Sequence, residues 1–279
     1  MSELTLAFLG TGSMNGAILR GVLAGGTEKG AVRATTRSAS SGEELRDETG
    51  VTVFAGEEDA EANRTAVKGA DVVLLGVKPY AILDLAREIA PALDPGTVVV
   101  SVAAGVTLDA LQKALPQGQP AVRSMPNTPS SVGRGVLSVT PGEHVSREQL
   151  DAVKDVLAAV GTVVEVPENL IRAVTGVSGS GPAYVFYLAE AMQHAGEQLG
   201  LDPETARVLA KETVSGAGVL LAPDDADPAA LRKAVTSPGG TTEQAITTFD
   251  EKGLREIIAA GAEASATKGD HMEKEYGGE

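Results

Sequence analysis

A doubly wound α/β domain followed by an all-helical domain is the architecture this sequence predicts, and three observations carry it. The first half of the 279-residue chain alternates short, nearly uninterrupted Val/Leu/Ile runs with helix-patterned segments. Strands that are apolar on both faces belong to a parallel sheet covered by helices on each side. A glycine-rich turn, Gly10-Thr11-Gly12-Ser13-Met14, joins the first run to the first helical segment. After about Val166 the strand pattern stops and helix-start signals take over.

In order along the chain, strands are expected at Leu4–Leu9, Val32–Thr35, Val51–Phe54, Asp71–Val77 and Thr97–Val102, with two more at Val122–Met125 and Gly135–Val139. Helices lie between most of them, including Met14–Ala24, Ala81–Ile89 and Leu108–Leu115. Right-handed crossovers then generate the doubly wound sheet, taken here as parallel. In the second half Pro182–Leu199 is apolar at helical spacing and stops before Gly200. Asp202-Pro203-Glu204 begins a helix to about Leu221, with Asp as N-cap and Pro at the first helical position. Asp227-Pro228 repeats that signal; Thr242–Phe249 and Leu254 to about Lys274 complete the helical half. Tyr276–Glu279 reads as a solvated tail. The division falls at 1–167 and 168–279. The helical half is thin and rich in Ala and Gly, as in Ser215-Gly216-Ala217-Gly218, which suggests association with another subunit.

Composition removes several function classes. Cys is absent, so disulfides, thiolate metal sites and cysteine nucleophiles are excluded. His144, His194 and His271 are far apart and show no metal-ligand spacing, so no metal is expected. A net charge of −15 argues against nucleic acid and anionic membrane surfaces, which require clustered Lys and Arg. No apolar stretch approaches transmembrane length, and Met1-Ser2-Glu3 with the run to Gly10 lacks the basic region and length of a signal peptide. A cytoplasmic location is the expectation.

Gly10 and Gly12, after a strand and opening a helix, fit the first two glycines of the dinucleotide fingerprint, with Asn15 departing at the third. Gly16 or Ala17 could still allow close helix–sheet packing. The first domain is thus read as Rossmann-type. The helix N-terminus after Met14 would receive the pyrophosphate, though such glycines also occur in plain strand–helix turns. Where an NAD site usually has an acidic residue, the second strand ends in Thr35-Thr36-Arg37-Ser38. Hydroxyls and a guanidinium suit a 2′-phosphate, which points to NADP; a solvated loop arginine is the alternative. Val77-Lys78-Pro79 ends the fourth strand, facing the ligand crevice or serving as an ordinary helix start. In the helical half, Ser237-Pro238-Gly239-Gly240-Thr241-Thr242 could form an anion nest at a helix N-terminus, or only a Pro-Gly turn and cap.

Taken together, FLGTGSM, GVKPYAI from Gly76, SVAAGVTL from Ser101, RSMPNTP from Arg123, TGVSGSGPAY from Thr175 and TSPGGTT from Thr236 resemble pyrroline-5-carboxylate reductase across almost the whole chain. The resemblance implies reduction of 1-pyrroline-5-carboxylate to L-proline by hydride transfer from NADPH, with NADH also possible. It implies a C-terminal helical dimerisation domain, a homodimer and, in some members, a decamer of five dimers. In that family the site lies between the nucleotide domain of one subunit and helical elements of both.

Carried over by motif, Gly10, Thr11, Gly12, Ser13 and Met14 would hold the pyrophosphate. Thr36, Arg37 and Ser38 match the segment that reads the adenosine ribose or its phosphate, and Asn63 an asparagine near that ribose. Val77, Lys78 and Pro79 would line the cofactor, Ala103, Ala104 and Gly105 would pass the nicotinamide ribose, and Asn127 would lie near the nicotinamide. Glu168, Thr241 and Thr242 match substrate-side positions. Ser180 and Gly181 open the long helix beside the site, and Gly239 and Gly240 form the carboxylate nest. Thr242 is the catalytic candidate, hydrogen bonding to the ring nitrogen directly or through water. Ala234 stands where some relatives carry a polar residue. A β-hydroxyacid dehydrogenase shares the opening, but its lysine and asparagine have no counterpart in Gly176–Met192. A flavin-analogue-linked NADP reductase also shares the opening but not SPGGTT. A non-catalytic NADP sensor is the rival from another class, and turnover separates it.

Overall fold

The computed structural model describes residues 4–277. Gly278 and Glu279 of the expected tail, and Met1-Ser2-Glu3, lie outside the described residues. The order is β1 (Leu6–Leu9), α1 (Ser13–Ala24), β2 (Val32–Thr36), α2 (Ala39–Thr49), β3 (Thr52–Ala55), α3 (Ala62–Val67), β4 (Val72–Leu75) and α4 (Pro79–Ile89). Then come β5 (Val98–Ser101), α5 (Leu108–Ala114), β6 (Ala121–Met125), β7 (Gly135–Pro141), α6 (Arg147–Ala158), β8 (Gly161–Glu165) and α7 (Ile171–Val174). The helices α8 (Gly181–Gln198), α9 (Pro203–Leu220), α10 (Pro228–Ala234), α11 (Thr241–Glu251) and α12 (Leu254–Tyr276) follow.

One eight-stranded sheet runs β3-β2-β1-β4-β5-β6-β7-β8. Side chains alternate across it. Leu6, Phe8, Leu74 and Val100 pack on one face with Ile18 and Leu19 of α1 and Val153 and Leu157 of α6. Leu9, Val73, Leu75 and Val99 pack on the other with Ile82, Ala86 and Ile89 of α4 and Leu111 of α5. Two apolar layers explain why the strands read as continuous apolar runs, each buried Leu or Ile contributing about 1.5–3 kcal/mol.

Two sheet expectations are corrected. The sheet is not wholly parallel: β7 runs antiparallel to β6, with Arg123 opposite Thr140 and Met125 opposite Ser138. The connection from Pro126 to Arg134 is too short for a parallel crossover, which needs roughly a dozen residues or more. An eighth strand, β8, pairs in parallel with β7. As an edge strand it is half exposed, so it lacked the apolar run that marked the others.

The chain forms two compact units, one comprising the chain up to Gly179 with the chain from Ser265, the other Ser180–Ala264. The unit boundary therefore lies downstream of the change in pattern at 167/168, and the last turns of α12 rejoin the first unit. Tyr276 is not solvated tail: it closes α12 and packs against the apolar layer of α4 and α5. In the second unit α9 starts as expected. The Asp202 side chain accepts from Thr205 N–H, and hydrogen bonds from Thr205 hold its carboxyl below the usual range. Asp227 caps α10 through Ala229 N–H. Among the described residues, no helix is long and apolar enough to cross a membrane.

Candidate active site

The candidate phosphate loop, residues 10–14, occupies the carboxyl end of β1. Gly10 has φ +70, and an added Cβ would collide with Val77 Cγ1. Thr11 N–H donates to Thr35 O at 2.8 Å, and Thr11 Oγ1 donates to Phe8 O at 3.1 Å, so the turn is held from two sides. Gly12 is the N-cap of α1 and offers no side chain to its first amides; a Cβ there would meet nothing within 4 Å. Gly12 and Ser13 are exposed and Met14 half-buried. An open cradle over uncapped N–H groups fits a pyrophosphate.

At the end of β2, Thr36 is buried and its hydroxyl donates to Ser38 O at 3.0 Å. Ser38 caps α2 through Ser41 N–H. Arg37 is exposed and, among the described residues, has no ion pair; Lys78, N-cap of α4 at the end of β4, is likewise exposed and without one. Two unpaired cations at the ends of β2 and β4, the strands on either side of β1, suit a phosphorylated ligand in a chain with a −15 balance. Asn63 lies one step further back. Its Oδ1 accepts from Thr35 Oγ1 at 2.8 Å, its Nδ2 donates to Glu88 Oε1 at 3.0 Å, and Thr35 Oγ1 accepts from Gly10 N–H at 3.1 Å. Asn63 therefore steadies the phosphate loop through Thr35.

Pro79 opens α4 and Val77 lines Gly10. Ala103 and Gly105 are buried and Ala104 half-buried in the loop after β5, with Gly105 at φ +76. Asn127 is buried in the β6–β7 connection. Its Nδ2 donates to Ser178 O at 3.0 Å and its Oδ1 accepts from Val136 N–H at 2.9 Å. It joins that connection to a π-helical turn at Thr175–Gly179, an irregularity common at functional sites. The cofactor candidates thus all fall in the first unit, most of them at the carboxyl ends of β1, β2, β4 and β5.

Ser180, Gly181, Gly239, Gly240, Thr241 and Thr242 belong to the second unit. Ser180 and Gly181 open α8 with Pro182 in its first turn, as expected. The glycine nest is corrected. Gly239 N–H donates to Glu243 Oε2 at 2.7 Å and Gly240 N–H to Ser237 O at 3.0 Å, so these amides do not converge on open space. Glu243, third residue of α11, reaches back as such residues do in a capping box. What remains for an anion is the first turn of α11, where Gly240 supplies no capping side chain and Thr241 and Thr242 carry hydroxyls. Glu168 belongs to the first unit, where its Oε1 accepts from Arg123 Nη1 at 2.7 Å.

Sequence reasoning missed Asn15 as a functional support. It is fully buried, and its Nδ2 donates to Leu9 O at 3.0 Å and Leu74 O at 3.1 Å, tying β1 to β4 directly beneath the phosphate loop. Its amide stacks on Gly76, where a Cβ would overlap it. The departure at the third fingerprint position was visible; its partner on another strand was not. No cluster of three potential metal ligands exists among the described residues.

Comparison with known proteins bears on both halves. Residues 168–272 match the family model of pyrroline-5-carboxylate reductase dimerisation, and residues 5–105 that of NADP oxidoreductase, coenzyme F420-dependent. A pyrroline-5-carboxylate reductase of Corynebacterium melassecola is 41% identical over 273 residues, covering 97% of this chain and 99% of the relative. The solved pyrroline-5-carboxylate reductase of Coxiella burnetii superposes with a TM-score of 0.90 at 36% identity, covering 97% of this chain and 99% of that one. A Plasmodium falciparum pyrroline carboxylate reductase solved with NADP bound shares the fold, with a TM-score of 0.81 at 24% identity, over 98% of this chain and 99% of that one. The F420-type match stops at residue 105, whereas the likeness to the reductases spans 97% of the chain and so runs through both units, and on that ground the chain belongs to the pyrroline-5-carboxylate reductase family.

Proposed function

We propose that this protein reduces 1-pyrroline-5-carboxylate to L-proline with NADPH preferred over NADH, and that Thr242 is the residue acting on the ring nitrogen. The observation that carries the reading is the end-to-end family likeness combined with an open, uncapped α1 N-terminus behind Gly10 and Gly12. When bound, the reduced nicotinamide supplies the hydride. The chain supplies the rest. The first turn of α1 binds the pyrophosphate, with Gly10 to Met14 keeping side chains out of the way. Arg37, with Thr36 and Ser38, receives the 2′-phosphate, and Asn63 steadies the loop beneath. Val77, Lys78 and Pro79 with Ala103, Ala104 and Gly105 orient the nicotinamide half, and Asn127 holds the neighbouring connection. The first turn of α11, with the Thr241 and Thr242 hydroxyls, binds the substrate carboxylate; Gly239 and Gly240 shape the turn that aims it. Ser180 and Gly181 set the start of α8.

A protonated imine is already electrophilic, so orientation and exclusion of water supply most of the rate and no strong acid is required. The carbon of C=N gains the hydride and the nitrogen keeps its proton, which the Thr242 hydroxyl holds in place. Thr242→Ala is expected to lower kcat/KM about tenfold to a hundredfold, the range of one lost oriented hydrogen bond, without changing the melting temperature. Wild-type kinetics in that variant would remove Thr242 from the mechanism. Arg37→Ala is expected to raise the KM for NADPH about tenfold while leaving NADH nearly unchanged; equal effects on both would remove the phosphate role. The reaction itself is tested by NADPH oxidation with and without pyrroline-5-carboxylate, with proline as product.

The functional division follows 167/168, in line with the family model that begins at residue 168. A homodimer belongs to the same reading. The second unit exposes Phe186, Leu188, Leu209, Leu220, Ile257 and Ile258, more apolar surface than a lone unit ordinarily presents. Light scattering separates a dimer from a decamer of five dimers. A cytoplasmic location completes the reading, and cell fractionation tests it.

A further inference from the structure

The loop between β5 and α5 is held from outside by the end of α12. At Gly105 an added Cβ would come within 2.8 Å of Met272 Cβ and 3.3 Å of the Tyr276 ring, so only glycine lets the helix lie against the loop. Where the loop enters α5, Leu108 N–H donates to Glu168 Oε1 at 3.0 Å. That oxygen also accepts from Arg123 Nη1 at 2.7 Å, and Arg123 Nη2 donates to Glu273 Oε1 at 2.6 Å. Arg123 is 3% exposed, and its two carboxylates come from segments far apart in the chain. A second tie, Arg172 Nε to Asp270 Oδ2 at 3.2 Å, fixes the same stretch of α12. Burying a guanidinium is costly unless its geometry is met, and a simpler apolar contact would serve packing alone.

We propose that Glu273, Arg123 and Glu168 are positioning residues that clamp the loop from Val102 to Thr107 in the conformation required by the nicotinamide end of the cofactor. The last turns of α12 are thereby part of the support of the cofactor site. Glu168 acts here through Leu108 and Arg123, on the cofactor side of the reaction. The loop's part in cofactor binding rests on the reading given above; the clamp itself is tested without cofactor.

The experiment compares wild type with Glu273→Gln, a substitution on a partly exposed helical position, by hydrogen exchange of the cofactor-free protein and by fluorescence titration with NADPH. Exchange over residues 102–115 should rise about tenfold while residues 4–36 keep wild-type rates. The Kd and KM for NADPH should rise about tenfold, with the KM for pyrroline-5-carboxylate unchanged. Glu273→Asp, which keeps the charge on a shorter arm, should fall between. Wild-type exchange over 102–115, or an even rise across the first unit, overturns the clamp. Loosened exchange with an unchanged NADPH Kd overturns its link to the cofactor. Failure of the wild type itself to bind NADPH would instead sink the cofactor reading, a result the exchange measurement does not depend on.

Discussion

Gly10→Ala is expected to abolish measurable NADPH binding and to destabilise the protein by about 3 kcal/mol. Two costs add. An L-residue held at the φ of +70 found here loses roughly 1–2 kcal/mol. The new methyl also collides with Val77 Cγ1 and approaches Val77 N to 3.2 Å, and overpacking of this kind costs about 1–3 kcal/mol. Neither neighbour can yield cheaply, because Val77 follows a strand buried on both faces. Relief must come from the loop, which shifts away from β4 and carries the α1 N-terminus with it. A displacement of about 1 Å in a positioning element costs on the order of a hundredfold in function. Thermal melts should fall by several degrees, and NADPH should no longer raise them. An alanine variant that binds NADPH with wild-type affinity would show that the close approach of Gly10 to Val77 has no part in the site.

The second large effect is a coupling. Gly76→Ala and Asn15→Ala should each cost about 2–4 kcal/mol, and the double variant should cost at least about 1.5 kcal/mol less than their sum. The first drives a methyl into the Asn15 amide. The second removes hydrogen bonds to Leu9 O and Leu74 O, each worth about 1 kcal/mol or more, and leaves a void at a fully buried position. Together, the methyl on residue 76 enters the space the amide vacated, so the collision disappears. Denaturant melts of the four proteins give the cycle. Strict additivity would mean that Asn15 and Gly76 do not share that space, and the account of the third fingerprint position would fail with it.

Much of the candidate site was legible because its signals are local. Gly10 and Gly12 follow an apolar run and precede a helix, and a strand–turn–helix of that kind builds its own anion cradle from backbone amides. Arg37 stands where an acid is usual, and that exchange is the local signal behind the proposed phosphate contact. Other signals were ambiguous for equally local reasons. Gly239 and Gly240 suggested a nest, yet Glu243 reaches back and takes Gly239 N–H, a competition between a side chain and a ligand for the same donor. Tyr276 looked like tail because nothing in its neighbours in sequence reveals the apolar layer it meets.

By itself the sequence determined the fold class, the strand-by-strand succession of the first unit up to β7, the helices of the second, the glycine turn after β1 and the family, since each depends on periodicity, turn chemistry or contiguous motifs. Tertiary structure alone decided the antiparallel turn of β7, the edge strand β8, the Asn15–Gly76 contact, the Thr35–Asn63–Glu88 chain and the return of α12 to Arg123 and Gly105. These join residues distant in the chain, and their energy comes from burial and hydrogen-bond geometry in space, which no local pattern of side chains encodes.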